Sequence, residues 1–266
     1  MNTTYKHVVL IGLDGAGNFI QYTDTPNLDR MFAEGAGTMY CRTAFPSISA
    51  ECWGSMLIGV DPDVHGLTND IVERGDKYTD LAHPSIFRLI REAHPDAVIG
   101  AYSNWDPINT GMIEEGTNVD LATGDDPELA PMNCDYIKEK KPEFLFIQLD
   151  NPDHFGHHYG YRSKEQLDCI TREDGYIGDI IAALKEAGIY EDTLVISTAD
   201  HGGIGTGHGG DTEEEMNVYF TAVGKTVKKG AKPEMRIRDI PAIVAYALGV
   251  PASESWQGSL PEGLFE

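Results

Sequence analysis

Basic residues are scarce in this chain: 20 Lys and Arg stand against 43 Asp and Glu, a formal net charge of −23 over 266 residues. No basic stretch is long enough to neutralise a phosphate backbone, which excludes duplex nucleic acid as a partner. Cysteine is also sparse. Cys41, Cys52, Cys134 and Cys169 lie far apart, with no Cys-x-x-Cys pair, so they read as thiols of a reducing compartment rather than a disulfide framework. No run approaches the roughly 20 apolar residues of a membrane-spanning helix, so no membrane association is expected. The apolar stretch Val8 to Leu13 is too short for a secretory leader and lacks a small-residue cleavage site, so a cytoplasmic location is expected. Repeats, low-complexity tracts and Ser- or Pro-rich linkers are missing as well. With its ordinary 41% hydrophobic content, the chain reads as one catalytic-sized domain spanning residues 1–266.

Short apolar runs are present, and each ends abruptly in acidic, His or Gly residues. His7 to Leu13 runs into Asp14-Gly-Ala-Gly, Phe144 to Leu149 into Asp150-Asn-Pro-Asp-His, and Thr193 to Thr198 into Ala199-Asp-His-Gly. Continuous, β-branched apolar residues predict strands buried on both faces. Ala97 to Tyr102 and Asn217 to Val223 read the same way. Helical patterns fill the gaps: Asn27 to Glu34, Pro84 to Ala93, Glu165 to Ala187 and Asp239 to Leu248. Strands alternating with helices predict a three-layer α/β/α sandwich around a mostly parallel sheet. Residues 103–126, rich in Gly, Asn and acids, show no periodicity and read as a lid, an insertion or a disordered excursion.

Ligands of open α/β sheets bind beyond the carboxyl ends of the strands, where Asp14, the Asp150 to His158 segment and Asp200-His201 all fall. Asp and His without thiolates suit Zn²⁺, with Mn²⁺ as the alternative. Asp153 and His157 stand four apart, as do Asp150 and His154, so spacing alone does not choose between them. Asp200-His201-Gly-Gly followed by His208-Gly-Gly is more specific. Six glycines among the nine residues Gly202 to Gly210 let the backbone fold closely around an ion. In Phe45-Pro-Ser-Ile-Ser-Ala-Glu-Cys-Trp, either Ser47 or Ser49 opens a helix carrying Trp53, Met56 and Leu57. Amides and dipole favour an anion there.

In this order, the motifs resemble the alkaline phosphatase superfamily, within it the nucleotide pyrophosphatase/phosphodiesterase branch. The matching pieces are Leu-Asp-Gly, Ser-x-x-x-Trp-x-Ser-x-Leu-x-Gly, Pro62-x-x-His65-Gly66, Pro-Asp-x-x-Gly-His-x-x-Gly, Asp-His-Gly and a final His-Gly. The resemblance implies an alkaline phosphatase-like fold, two divalent metals and a Ser or Thr nucleophile. Carried over, one metal takes Asp14, Asp200, His201 and the Ser49 oxygen, and the other takes Asp153, His157 and His208. The family spacing selects Ser49 over Ser47, and Asp153 with His157 over Asp150 with His154.

Two positions depart from the family pattern. Glu51 stands where Pro is common. Strict counting places the oxygen-holding Asn at Asp70, next to Asn69, which is taken as the donor. The expected activity is hydrolysis of a small phosphodiester or nucleotide through a phosphoserine. Phosphomonoester hydrolysis is the alternative, followed by sulfatase chemistry and a non-catalytic metal-binding module. A sulfatase is disfavoured because Trp53 occupies the Arg position of that motif. Three Asp ligands against two divalent ions leave a local charge of about +1, so an acidic chain can still take an anion.

Overall fold

A computed structural model describes residues 4–266. Seven strands form one sheet: β1 His7–Leu13, β2 Ala36–Arg42, β3 Ile99–Ser103, β4 Asp120–Thr123, β5 Phe144–Leu149, β6 Thr193–Thr198 and β7 Asn217–Val223. The helices are α1 Pro26–Glu34, α2 Ser49–Ile58, α3 Pro62–His65, α4 Asn69–Glu73, α5 Ile86–Ala93, α6 Asp126–Lys140, α7 Asn151–Tyr159, α8 Lys164–Glu186, α9 Glu213–Met216 and α10 Ile240–Leu248. Strand order is β2-β7-β6-β1-β5-β3-β4. Four of the six pairings are parallel; only β7 runs against its neighbours β6 and β2.

The continuous apolar runs have the expected consequence. β5 and β6 are buried at every position, and β1 at every position after His7, so both faces of the sheet are covered. Helices α1, α6, α7 and α8 pack with one another, and α2, α5 and α10 form a second group, giving the three layers. β1 lies between β5 and β6, with Leu13 in register with Leu149 and Gly12 with Thr198. Three neighbouring parallel strands therefore end at the same height, and Asp14, Asp150 and Asp200 leave the sheet side by side.

Residues 103–126 are ordered, which corrects the disordered alternative. Asn109 is buried and donates to Ala122 O at 2.9 Å and to Thr123 Oγ1 at 3.2 Å, pinning a π-helical turn over Ile108–Met112 against edge strand β4. β4 pairs with β3 from Gly100–Asp120 to Ser103–Thr123. Further elements, β2, β4 and α6 among them, carry no sequence signal strong enough to predict them. Helix α6 contains Pro131 and buries Asp126 and Asn133, so neither propensity nor amphipathic pattern marks it.

Candidate active site

Each candidate residue arrives on a rigid element. Asp14 follows β1, Asp200 and His201 follow β6, and Asp153 and His157 lie on one face of α7, whose start is set by Pro152. Ser49 is the first residue of α2, which ends at Gly59 in the left-handed region with φ 74°. The Gly-rich loop brings His208 back over Ser47 and Ser49.

All eight sequence-selected residues converge. Ser49 Oγ lies 3.2 Å from His201 Nε2. His201 Nε2 is 3.4 Å from both Asp14 Oδ1 and Asp200 Oδ2. On the other side, His157 Nε2 is 3.2 Å from Asp153 Oδ2 and 3.2 Å from His208 Nε2. Asn69 Oδ1 accepts the Ala50 N–H at 2.9 Å, which places its amide group beside Ser49, whereas Asp70 is exposed. Donor atoms of Asp153, His157 and His208 fall within 4.8 Å of one another, as do those of Asp14, Asp153 and His201. Asp153 thus belongs to both groups, where the family division assigned it to one. Asp150 and His154 line the same cavity of about 240 Å³, together with Ser49, Asn69, Trp105, Asp153, His157 and His208.

The three imidazoles share one arrangement. Nδ1 of His157 contacts Thr206 O at 3.0 Å, that of His201 contacts Gly202 O at 2.8 Å, and that of His208 contacts Ser47 O at 2.7 Å. A carbonyl only accepts, so Nδ1 carries the proton in each ring; in His201 and His208, which burial keeps neutral, Nε2 then presents a lone pair inward, the tautomer of a metal ligand, whereas His157 Nε2 donates to Asp153 and becomes a ligand atom on losing that proton. Asp14 Oδ1 and Asp200 Oδ2 are buried acceptors with no hydrogen-bond partner. Orphaned carboxylate oxygens beside inward lone pairs fit divalent cations.

Charge follows the same logic. Burial, then repulsion from Asp200, Asp153 and Asp150, pushes Asp14 well above the usual carboxylate range. Burial also lifts Asp200 and Asp150, each to about 7. Burial acts on Asp153 too, but the His157 hydrogen bond and the imidazoles hold it below the usual range. The Asp153 hydrogen bond raises His157 to about 9, while burial, then His201, lowers His208 to about 4. A divalent cation relieves this crowding of carboxylates.

Several supporting contacts have no signal in the sequence. Trp53, read as a core residue, donates its indole N–H to Asp14 Oδ2 at 2.8 Å. Gln148, within an apolar strand, donates to Asp14 and Asp150 at 3.0 Å each and accepts the Trp105 N–H at 2.9 Å. Buried Asp126 accepts the N–H groups of Asp150 and Asn151 and so anchors the start of α7. Ser47 braces the Gly-rich loop: its Oγ donates to Gly210 O and accepts the Gly209 N–H. Glu51 is buried in the first turn of α2, and burial raises its carboxyl. The only sequence hint for Gln148 is a polar side chain inside a strand buried on both faces.

The family model of the type I phosphodiesterases and nucleotide pyrophosphatases matches residues 8–85 and 91–251, covering every residue of this site. The chain belongs to that family. Through it the chain joins the alkaline phosphatase superfamily. Bovine ectonucleotide pyrophosphatase/phosphodiesterase family member 3 is 24% identical over 262 residues, 88% of this chain and 29% of that protein. Venom phosphodiesterase 2 of Crotalus adamanteus is 31% identical over 107 residues, 40% of this chain and 13% of the venom protein. The chain therefore spans under a third of these two family relatives. Murine ectonucleotide pyrophosphatase/phosphodiesterase 5 shares the fold, with TM-score 0.78 at 15% identity over 95% of this chain and 97% of that one. An inactive form of the same murine protein, in complex with AMP, superposes with TM-score 0.79 at 14% identity over 96% and 97% of the two chains. A 2-O GAG sulfatase shares the fold too, with TM-score 0.74 at 14% identity over 96% of this chain and 73% of that one.

Proposed function

We propose that this chain hydrolyses small phosphodiesters, nucleotide esters among them, through a phosphoserine on Ser49. The observation that carries the reading is Ser49 at the start of α2, with Oγ 3.2 Å from His201 Nε2, beside Asn69 and between two clusters of inward-facing ligand atoms. Asp14, Asp200 and His201 would hold one divalent ion and Asp153, His157 and His208 the other, Zn²⁺ suiting this carboxylate and imidazole set. Bound there, the ions supply Lewis acidity toward phosphate oxygens and lower the pKa of water.

Ser49 Oγ loses its proton to water and attacks phosphorus in line. The new Oγ–P bond forms as the bond to the leaving oxygen breaks, and that oxygen takes up a proton. Water then cleaves the Ser49 ester and returns the hydroxyl. The α2 amides and dipole favour the serine oxyanion. Asn69, with its carbonyl held by Ala50, directs its NH₂ toward a non-bridging oxygen.

A diester is favoured over a monoester because no Lys or Arg among the described residues lines the cavity. The arginines nearest the motifs in sequence pair with carboxylates instead: Arg42 with Glu213 at 3.1 Å, Arg74 with Asp76 at 3.4 Å and Arg162 with Glu214 at 3.9 Å. The 240 Å³ cavity suits a small substrate.

The test compares bis(p-nitrophenyl) phosphate with p-nitrophenyl phosphate on zinc-loaded protein. Diester turnover should exceed monoester turnover at least about tenfold. Ser49→Ala should lower it about a thousandfold with zinc content retained. Undiminished turnover by Ser49→Ala, or preference for the monoester, contradicts the proposal.

A further inference from the structure

Tyr161 lies just beyond the Pro-Asp-x-x-Gly-His-x-x-Gly element, at a position to which the motif assigns no role. The chain turns back at Gly160, φ 102°, and the Tyr161 N–H then bonds Gly205 O at 2.7 Å. That hydrogen bond ties Tyr161 to the loop between His201 and His208. The buried phenol hydroxyl donates to Asp153 Oδ1.

The ring occupies a cradle made by two glycines. A Cβ on Gly156 would stand 2.7 Å from Tyr161 Cε1, and one on Gly203 would stand 2.5 Å from its Cγ. No real Cβ tolerates such approaches, so both positions must be glycine while the ring stays. Gly156 precedes His157, and Gly203 follows His201 by two residues. The ring also meets His157 edge-on, centroids 5.8 Å apart at 75°, and His208 at 6.2 Å and 73°.

We propose that Tyr161 is a positioning residue of the metal centre, which acts by fixing the orientation of the Asp153 carboxylate shared between the two ligand groups. This rests on the two-metal reading given above. A shared carboxylate can rotate about its terminal torsion and exchange its oxygens. The phenol removes that freedom. It engages Oδ1, which lies 4.0 Å from both His201 Nε2 and His208 Nε2, and leaves Oδ2 toward His157 Nε2 at 3.2 Å. A hydrogen bond to a ligating carboxylate is the kind of outer contact that sets metal affinity.

Tyr161→Phe keeps the ring in its cradle and removes only the hydroxyl. Three readouts separate positioning from packing: zinc affinity by competition with a chromophoric chelator, the visible absorption of cobalt(II)-substituted protein, and kcat against KM for bis(p-nitrophenyl) phosphate. Zinc affinity should fall about 10–100-fold. The cobalt bands should shift, and kcat should fall more than KM changes, with Tm in chelator unchanged. Gly203→Ala, which pushes the ring away from Asp153, should reproduce the affinity loss. Unchanged zinc affinity and cobalt bands in Tyr161→Phe overturn the proposal, as does affinity lost only in Gly203→Ala, which assigns the ring to packing. Should Tyr161→Phe lose zinc affinity while wild-type protein hydrolyses no phosphodiester, the positioning role stands and the phosphodiesterase reading fails. Wild-type protein that takes up no zinc overturns both.

Discussion

Asn69 and Ser49 are coupled through one backbone amide. Because Ala50 N–H occupies Asn69 Oδ1 at 2.9 Å, the Asn69 NH₂ is the end that the proposed mechanism turns toward the substrate. Asn69→Ala should lower kcat/KM for a diester about 10²–10³-fold, the usual cost of losing one preorganised donor. Asn69→Asp should do worse, since an ionised carboxylate repels phosphate. Steady-state kinetics of both variants check this ordering, and equal activity of Asn69→Asp and wild type contradicts it. At this scale the sequence was most legible where chemistry interrupts an apolar strand. Asp14, Asp200 and His201 stand out because a buried run stops at them. Asp150 and His154 were harder: they share the α7 spacing of Asp153 and His157 and line the same cavity, so spacing had no power to separate the pairs. Tyr161 and Gln148 act through hydrogen bonds that cross a turn or a sheet, which no local pattern records.

Helix α8 illustrates what an element's pattern conceals. Its apolar positions predicted a helix to within a residue at each end, yet its buried face also carries Glu173, fully shielded, with Oε2 unpartnered. Burial, then Asp126, raises Glu173 to about 8 from its ordinary 4.5. A raised carboxyl in the folded state contributes stability that is fully present below pH 4.5. That contribution is lost as pH rises through 8, at up to roughly 1.4 kcal/mol per unit. Glu173→Gln should flatten the decline in stability between those limits, read from urea midpoints at several pH values in chelator. An unchanged slope contradicts the assignment. The elements missed from sequence have physical reasons as well. β4 is a four-residue edge strand with most of its side chains in solvent, and α6 contains a proline. The reversed direction of β7 is set by its pairing with β2 and β6, because its own residues read like those of a parallel strand.

For the molecule as a whole, the charge of −23 is partly a ligand inventory. Buried carboxylates that repel one another destabilise the fold until cations bind, so metal affinity and folding stability should be linked. Zinc at a thousandfold excess over its Kd contributes about 4 kcal/mol per site by mass action. Chelation should therefore lower Tm by on the order of 10 °C, restored by zinc in calorimetry. A Tm indifferent to chelator contradicts a bound metal pair.

The central claim is a covalent intermediate on Ser49. It is tested most directly by the stereochemical course at phosphorus. Hydrolysis of one diastereomer of a chiral phosphorothioate diester in ¹⁸O-water, read by ³¹P NMR, reports the number of displacements. Two in-line displacements, the first by Ser49 and the second by water, predict retention of configuration. Inversion would mean that water attacks the diester directly and that Ser49 is not the nucleophile.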